Sequence, residues 1–323
     1  MQTVLITGGA GFVGFHLAKH LASSGNEVTI CDNLFRGSMD EEIKILLEKP
    51  NVRYVNCDLT DKDQVASLDS HDFVYHLAAV NGTKYFYEIP DQVLRINILS
   101  ALNILEWFSE QKKGKILFTS SSETYAGTVR AFGATVPTPE TVPLAVDDIF
   151  NPRWSYGISK IAGESLFINF ARRRKFPMTI IRYHNIYGPR MGYEHVIPEF
   201  IMRLRSNETP FRIFGGKETR AFCFVHDAIR ATQMCMESEK TENQIFHVGN
   251  DLEEISIENL ARKIFAIMEV RPELKIEPAP QGSVQRRCPD LTKIRKLGYT
   301  PSVPLDEGLQ KTIDWYMKKT FKH

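Results

Sequence analysis

The sequence predicts an α/β fold: a doubly wound parallel sheet, followed by a smaller, mixed α/β lobe. Three observations carry that reading. Short β-branched runs alternate with helical patterns through the first half of the chain. A glycine turn, Gly8-x-x-Gly11-x-x-Gly14, joins the first strand to the first helix. Beyond about Gly188 the alternation breaks, and proline and glycine become denser. Right-handed crossovers between successive strands then make the sheet Rossmann-like.

The elements follow in order. Residues 3–7, TVLIT, form a buried strand, and residues 12–25 carry apolar residues at helical spacing up to Gly25. EVTICD is the second strand and ends in Asp32, VRYVNCDL (52–59) is the third, and DFVYHLAA (72–79) is the fourth. A long amphipathic helix covers 91–110, and KILFTSSS (115–122) is the fifth strand. PMTIIRYHN (177–185) is the sixth, after a helix that carries Lys160. Helices recur at 196–205, 226–238, 257–268 and 305–318. The expected division is 1–187 for the first domain and 188–323 for the lobe, which adds to a cleft. A part near 222–250 rejoins the first domain through the strand IFHV.

Composition sets limits on function. The 323 residues are 43% hydrophobic and 24% charged, as in a soluble globular protein. A net charge of +1 gives no bulk field for nucleic acid or an acidic membrane. The run Arg172-Arg173-Arg174-Lys175 reads as a solvated helix end. Five scattered cysteines without a CxxC argue for reduced thiols in a cytoplasmic compartment, not a disulfide frame or a metal site. No secretory leader and no apolar run of about 20 residues is expected. His16 and His20 share a helix face but lack a third ligand.

The glycine turn has the geometry of a dinucleotide site. Glycines at Gly8 and Gly11 let the backbone approach a pyrophosphate, and the helix N-terminus at Phe12 and Val13 turns its amides to the phosphates. Asp32, about 20 residues on, can accept from both ribose hydroxyls of NAD and repel the 2′-phosphate of NADP. Asp58 can meet the adenine amino group or cap the following helix. The small residues Ala78 and Ala79 after the fourth strand allow close approach to a cofactor, or simply pack.

A second cluster carries chemistry. Tyr156 and Lys160 stand at i and i+4 in WSYGISK, on one helix face. A phenol with a pKa of about 10 is a poor base near neutrality, and an ammonium beside it is expected to lower that value. Tyr156 is then the base that oxidises a hydroxyl and the acid of the reverse step, while Lys160 also holds a nicotinamide ribose. Ser121, in TSSSETY at the end of the fifth strand, is placed to bond the same hydroxyl, with Ser122 beside it. Glu123 either caps the loop or manages protons next to a ketone. Trp107 and Tyr85–Tyr87 are candidates for lining a sugar pocket.

On these residues the chain resembles the extended short-chain dehydrogenase/reductase superfamily, in its NAD-dependent nucleotide-sugar epimerase, dehydratase and decarboxylase group. The resemblance runs nearly full length, through TGGAGFVG, CDN, CDL, HLAA, Asn97, SSSETY, YGISK, RYHNIYGPR, TRAFCFVHD and RRCPD. It implies NAD retained through turnover, oxidation of sugar carbon 4 to a ketone, and return of hydride after that ketone has reacted. It adds Asn33, Leu59, Leu77 and Asn97 to the cofactor site. It makes Ser121, Tyr156 and Lys160 the catalytic residues, and assigns Asn185, Val196, Arg220 and Arg287 to the nucleotide sugar. It also implies a homodimer paired through the helices of 91–110 and 156–174.

The subclass is mixed. Ser121-Ser122-Glu123 lacks the aspartate of the sugar 4,6-dehydratases, Ser-Glu and TRAF resemble UDP-glucuronate decarboxylases, and RYHNIYGP resembles GDP-mannose 3,5-epimerase. Epimerisation is the leading expectation, decarboxylation of a linked uronic acid the alternative, and dehydration third. A catalytically silent NAD-binding regulator would be expected to have lost Ser121, Tyr156 or Lys160, and all three are present.

Overall fold

The computed structural model describes residues 1–111, 113–279 and 283–319. The chain forms two compact units. The first takes residues 1–127, 144–183 and 229–246, and the second takes 128–143, 184–228 and 247–323.

The first unit is built on a parallel sheet. Its strands β1 (Thr3–Thr7), β2 (Glu27–Asp32), β3 (Val52–Asn56), β4 (Phe73–His76), β5 (Lys115–Ser121) and β6 (Met178–Tyr183) are joined by a seventh, Gln244–Val248. The spatial order is Gln244–Val248, β6, β5, β4, β1, β2, β3. The order reverses direction between β1 and β4, which is the switch point where ligands bind beyond the strand ends of such sheets. Several strands stop short of the apolar runs that suggest them. The sequence run 72–79 gives a strand only over Phe73–His76, because the chain then leaves the sheet with Leu77 and Ala78 turned onto Thr7.

Helices α1 (Phe12–Ser23), α2 (Glu41–Leu47), α3 (Lys62–Ala66), α4 (Thr83–Glu88), α5 (Pro90–Glu110), α6 (Ala126–Phe132) and α7 (Ser155–Arg174) follow the chain. Pro90 opens α5 at a position where its missing N–H costs nothing. The α5 and α7 faces bury Ala101, Ile104, Leu105, Phe108 and Phe167 with Phe118 of β5 in one apolar cluster. Phe118 and Phe167 stack at 4.5 Å. Each such side chain contributes roughly 1.5–3 kcal/mol by leaving water.

The stretch 229–246 returns to this unit through a buried lysine. Lys115 Nζ donates to Cys235 O (3.1 Å), Ser238 O (2.7 Å) and Thr241 Oγ1 (2.9 Å). The full donor set of the ammonium is thereby used, as a buried charge requires.

Among the described residues, the second unit has three small sheets. Thr219–Ala221 pairs antiparallel with Glu254–Ser256 and parallel with Arg286–Arg287. Phe211–Phe214 pairs with Leu274–Glu277, and Ile186–Tyr187 with Cys223–Phe224. Phe200, Phe211 and Phe265 meet edge to face at 5.3 and 5.2 Å and anchor the helices Val196–Arg205 and Ile257–Ile267. Among the described residues, no helix is long and apolar enough to cross a membrane.

Candidate active site

The glycine turn wedges β1 against β4. Gly8 has φ +67°, and a Cβ there would stand 2.8 Å from the backbone of Ala78. A Cβ on Gly14 would stand 2.2 Å from Gly8 O, so the first turn of α1 sits directly on the loop. Both positions therefore require glycine. Gly11 is the N-cap of α1 and offers no capping side chain, so the amides around Phe12 and Val13 have no side-chain oxygen from the cap. Such a helix end suits a phosphate.

Asp32 closes β2 and is buried. Its Oδ2 accepts from Ala10 N (3.0 Å) and its Oδ1 from Leu34 N (2.8 Å), which fixes the carboxylate against the glycine turn. A carboxylate oxygen can accept more than one hydrogen bond, so ribose hydroxyls suit this acid. The residues present thus fit the dinucleotide: a glycine cradle, a helix N-terminus and an oriented acid. Asn33 Oδ1 turns back to Phe35 N (3.0 Å). The two roles open for Asp58 separate here. Asp61 caps α3, while Asp58 Oδ1 accepts from Thr60 N and Thr60 Oγ1, both at 2.9 Å, beside buried Leu59.

Beyond β4, Thr7 Oγ1 is shared by His76 Nδ1 (2.8 Å) and Ala78 N (3.2 Å), and Leu77 N reaches Thr7 O. Burial holds His76 down at about 3, so it is neutral and packs against Phe118 and Phe167. Ala79 packs with Val80, Phe86 and Tyr156. Asn97 is engaged within the protein: its Oδ1 accepts from Val80 N (2.7 Å), and its Nδ2 donates to Val80 O (3.2 Å) and Ser159 Oγ (3.0 Å). It ties the wall after β4 to α7.

The structure brings Ser121, Glu123, Tyr156 and Lys160 together at the end of β5 and the start of α7. Tyr156 is buried, and its ring stacks on Phe86 at 5.4 Å. Burial first, and then the charge of Glu123, hold its phenol above the ordinary tyrosine range; a hydrogen bond with Ser121 and the charge of Arg36 oppose them. The lowering expected from the sequence is not found, because Lys160 lies under the rings. Its Nζ donates to Thr119 O (2.7 Å), 4.7 Å from the Phe118 centroid and 5.7 Å from that of Tyr156. Burial brings Lys160 down to about 7, against the pull of Glu164.

That shift has a measurable consequence. An unfolded lysine near 10.5 holds its proton where the folded one, at about 7, has released it. Stability therefore rises with pH between those values, by up to roughly 1.4 kcal/mol per unit, and the cost of burying the charge is full below the lower one. Urea denaturation from pH 6 to 9 is expected to show this slope in the wild type and to lose it in Lys160→Met. Parallel curves for the two proteins would contradict it.

Ser121 caps the turn that follows β5, its Oγ accepting from Glu123 N (3.2 Å), and the Glu123 carboxylate faces Arg153 at 3.9 Å. Ser122 and Thr124 are buried on either side. Trp107 is not placed to line a pocket: its indole donates to Leu68 O (3.1 Å) and packs on the α5 core. His16 packs against Phe12 and Phe15, and His20 meets Gln233. Among the described residues, no cluster of three metal-ligating groups occurs.

In the second unit Arg220 and Arg287 are direct partners on adjacent parallel strands. Asn185, at φ 43°, donates from Nδ2 to Ala221 O (3.3 Å). Val196 opens the helix Val196–Arg205 and is half-buried.

A profile of the NAD dependent epimerase/dehydratase family matches residues 4–249. The chain belongs to that family. This NAD dependent epimerase/dehydratase family chain is 34% identical to a UDP-N-acetyl-alpha-D-glucosaminuronate decarboxylase of Bacillus cytotoxicus, over 97% of each protein. It is 31% identical, over 97% of each, to a putative UDP-glucose 4-epimerase of Methanocaldococcus jannaschii. Among solved structures, a UDP-glucose 4-epimerase of Thermotoga maritima with UDP-glucose superposes with a TM-score of 0.86 at 30% identity, over 98% of this chain and 99% of that one. The relatives of this epimerase/dehydratase family chain thus include decarboxylases as well as 4-epimerases of UDP-sugars.

Four polar residues of this family member escape the sequence reading. Glu164 and Arg182 form a buried bidentate pair under the site, both contacts 2.8 Å. Arg153 meets Glu123, and Arg36 acts on Tyr156. Glu164 alone had a readable mark: it continues the i, i+4 face of Tyr156 and Lys160.

Proposed function

We propose that this protein binds NAD and a nucleoside diphosphate sugar and oxidises the sugar transiently at carbon 4. The observation that carries the reading is the cluster of half-buried Ser121 with buried Tyr156 and Lys160, in the unit that also holds a glycine turn with an oriented Asp32. Ser121 and Tyr156 bond the carbon 4 hydroxyl, and Tyr156 takes its proton. NAD, when bound, takes the hydride from carbon 4 and returns it at the end. Lys160, anchored on Thr119 O, supports the phenol from below and holds the nicotinamide ribose. Asn185, Val196, Arg220 and Arg287 bind the nucleotide and its phosphates, the arginines through their planar donors.

For the fate of the ketone, Glu123 favours decarboxylation. Epimerisation at carbon 4 needs one acid–base group, the phenol. A second carboxylate is superfluous there, yet Glu123 is half-buried, faces Arg153 and acts on Tyr156. With a carboxyl at carbon 6, the 4-ketone is a β-keto acid. Carbon dioxide leaves carbon 5, its electron pair passes into the enolate, carbon 5 takes a proton, and hydride returns to carbon 4. Glu123 and Arg153 orient the ring and manage that proton. The Bacillus relative, named for a uronate decarboxylation, supports this reading. Epimerisation is the second reading, supported by the Methanocaldococcus and Thermotoga proteins. We place the protein in the cytoplasm as a homodimer paired through α5 and α7; the five free cysteines and the resemblance of those helices support this.

The deciding experiment is product mass and NMR after incubation with UDP-, GDP-, dTDP- and CDP-sugars, UDP-glucuronate and its N-acetylated analogue included. Loss of carbon dioxide is the expected result, and Glu123→Gln is expected to slow it about 10²-fold or more. Unchanged mass with altered ring couplings would give the epimerase instead.

A further inference from the structure

Four residues beyond Asp32, and close enough for its charge to reach Tyr156, stands a cation to which the proposed reaction gives no role. It is Arg36, on the loop that leaves β2. That loop is held by two Asx turns, Asp32 Oδ1 on Leu34 N (2.8 Å) and Asn33 Oδ1 on Phe35 N (3.0 Å), and it carries Leu34 at φ 61°. The guanidinium lies over the ring of Tyr85 on α4, 4.7 Å from its centroid, and Phe35 meets the same ring at 6.2 Å. The next residue on α4, Phe86, stacks on Tyr156. The loop after β2 and α4 therefore meet through Arg36 and Tyr85. Arg36 Nη1 is buried, with no hydrogen-bond partner among the described residues. A guanidinium N–H without an acceptor is costly, and an anion in the groove is the group that satisfies it.

We infer that Arg36, steadied on Tyr85, closes over bound NAD as a strap and holds its pyrophosphate. This rests on the cofactor reading above. In NAD the groups between the ribose that Asp32 holds and the nicotinamide ribose beside Tyr156 are the two phosphates, the only anionic part of the molecule. A planar guanidinium is suited to them, and the aromatic ring fixes its plane. Charge on the strap also reaches the phenol, whose deprotonation Arg36 favours. The strap and the glycine turn thus hold the pyrophosphate from two elements, so the cofactor that accepts hydride stays to return it.

The test is equilibrium binding of NAD, ADP-ribose and adenosine to the full-length protein, with the rate at which bound NAD is released. Arg36→Met is expected to weaken NAD and ADP-ribose about tenfold or more, to speed NAD release, and to leave adenosine unchanged. Tyr85→Phe, which keeps the ring, is expected to release NAD as the wild type does, and Tyr85→Ala to release it faster. Unchanged ADP-ribose affinity in Arg36→Met overturns the inference, as does an equal loss for adenosine. A wild type that binds neither NAD nor ADP-ribose defeats the cofactor reading itself, which separates the two failures.

Discussion

Tyr156→Phe is expected to bind NAD as the wild type does and to turn over about 10²- to 10⁴-fold more slowly. The substitution removes one oxygen. The ring that stacks on Phe86 stays, the burial of the site stays, and Ser121 still caps Glu123. What is lost is the group that takes the proton from the carbon 4 hydroxyl. The phenol stands above its ordinary range because burial and Glu123 disfavour the phenolate. It is therefore protonated at rest, which suits the return step, where a ketone oxygen takes a proton as hydride arrives. The forward step works against the same two terms, and Ser121 and Arg36 oppose them. Steady-state turnover and equilibrium NAD binding on the same preparation check this. Full activity in the variant would remove Tyr156 from the chemistry. Loss of NAD would mean that the hydroxyl, not the ring, holds the site together.

The parts of the site legible in the sequence are those whose geometry is local. A glycine turn between a strand and a helix fixes its own conformation within seven residues, and Tyr156 and Lys160 share a helix face by spacing alone. Asp32 was readable because it ends a strand at a set distance from the turn. The roles of single residues were less so. By sequence Asp58 is open to two roles, meeting adenine or capping the next helix, and the backbone path gives the cap of α3 to Asp61. The direction of the Tyr156 shift depends on where Lys160 Nζ goes, and it goes to Thr119 O, 41 residues away in sequence. Trp107 is a candidate for the sugar pocket by sequence, and its indole instead bonds Leu68 O. The groups that escaped notice altogether act across the chain: Arg36 on Tyr85 and Tyr156, Arg153 on Glu123, and Glu164 on Arg182. Spacing in a sequence carries no record of such partners. The return of 229–246 to the first unit was readable at one strand, and the Lys115 contacts that secure it were not.

Arg182→Met is expected to cost about 3–5 kcal/mol of stability. Arg182 and Glu164 are both almost fully buried and meet through two parallel bonds of 2.8 Å, and Ser120 Oγ donates to the same carboxylate at 2.5 Å. Removing the arginine leaves a carboxylate in the interior with a hydroxyl as its remaining partner. Glu164→Leu leaves a buried guanidinium in the same position. The double variant Arg182→Met with Glu164→Leu removes both charges together and is expected to recover most of the loss, since the pair was offsetting its own desolvation. Urea midpoints at constant slope for the four proteins would measure the coupling. Additive losses in the double variant would show that the pair carries no joint term. The pair also reaches the chemistry, because Glu164 stands one helical turn beyond Lys160 and its charge holds that ammonium up against burial. The double variant should therefore fold, yet release the Lys160 proton at lower pH than the wild type. The stability slope assigned to Lys160 would then begin further toward acid, which a merely structural pair would leave where it was.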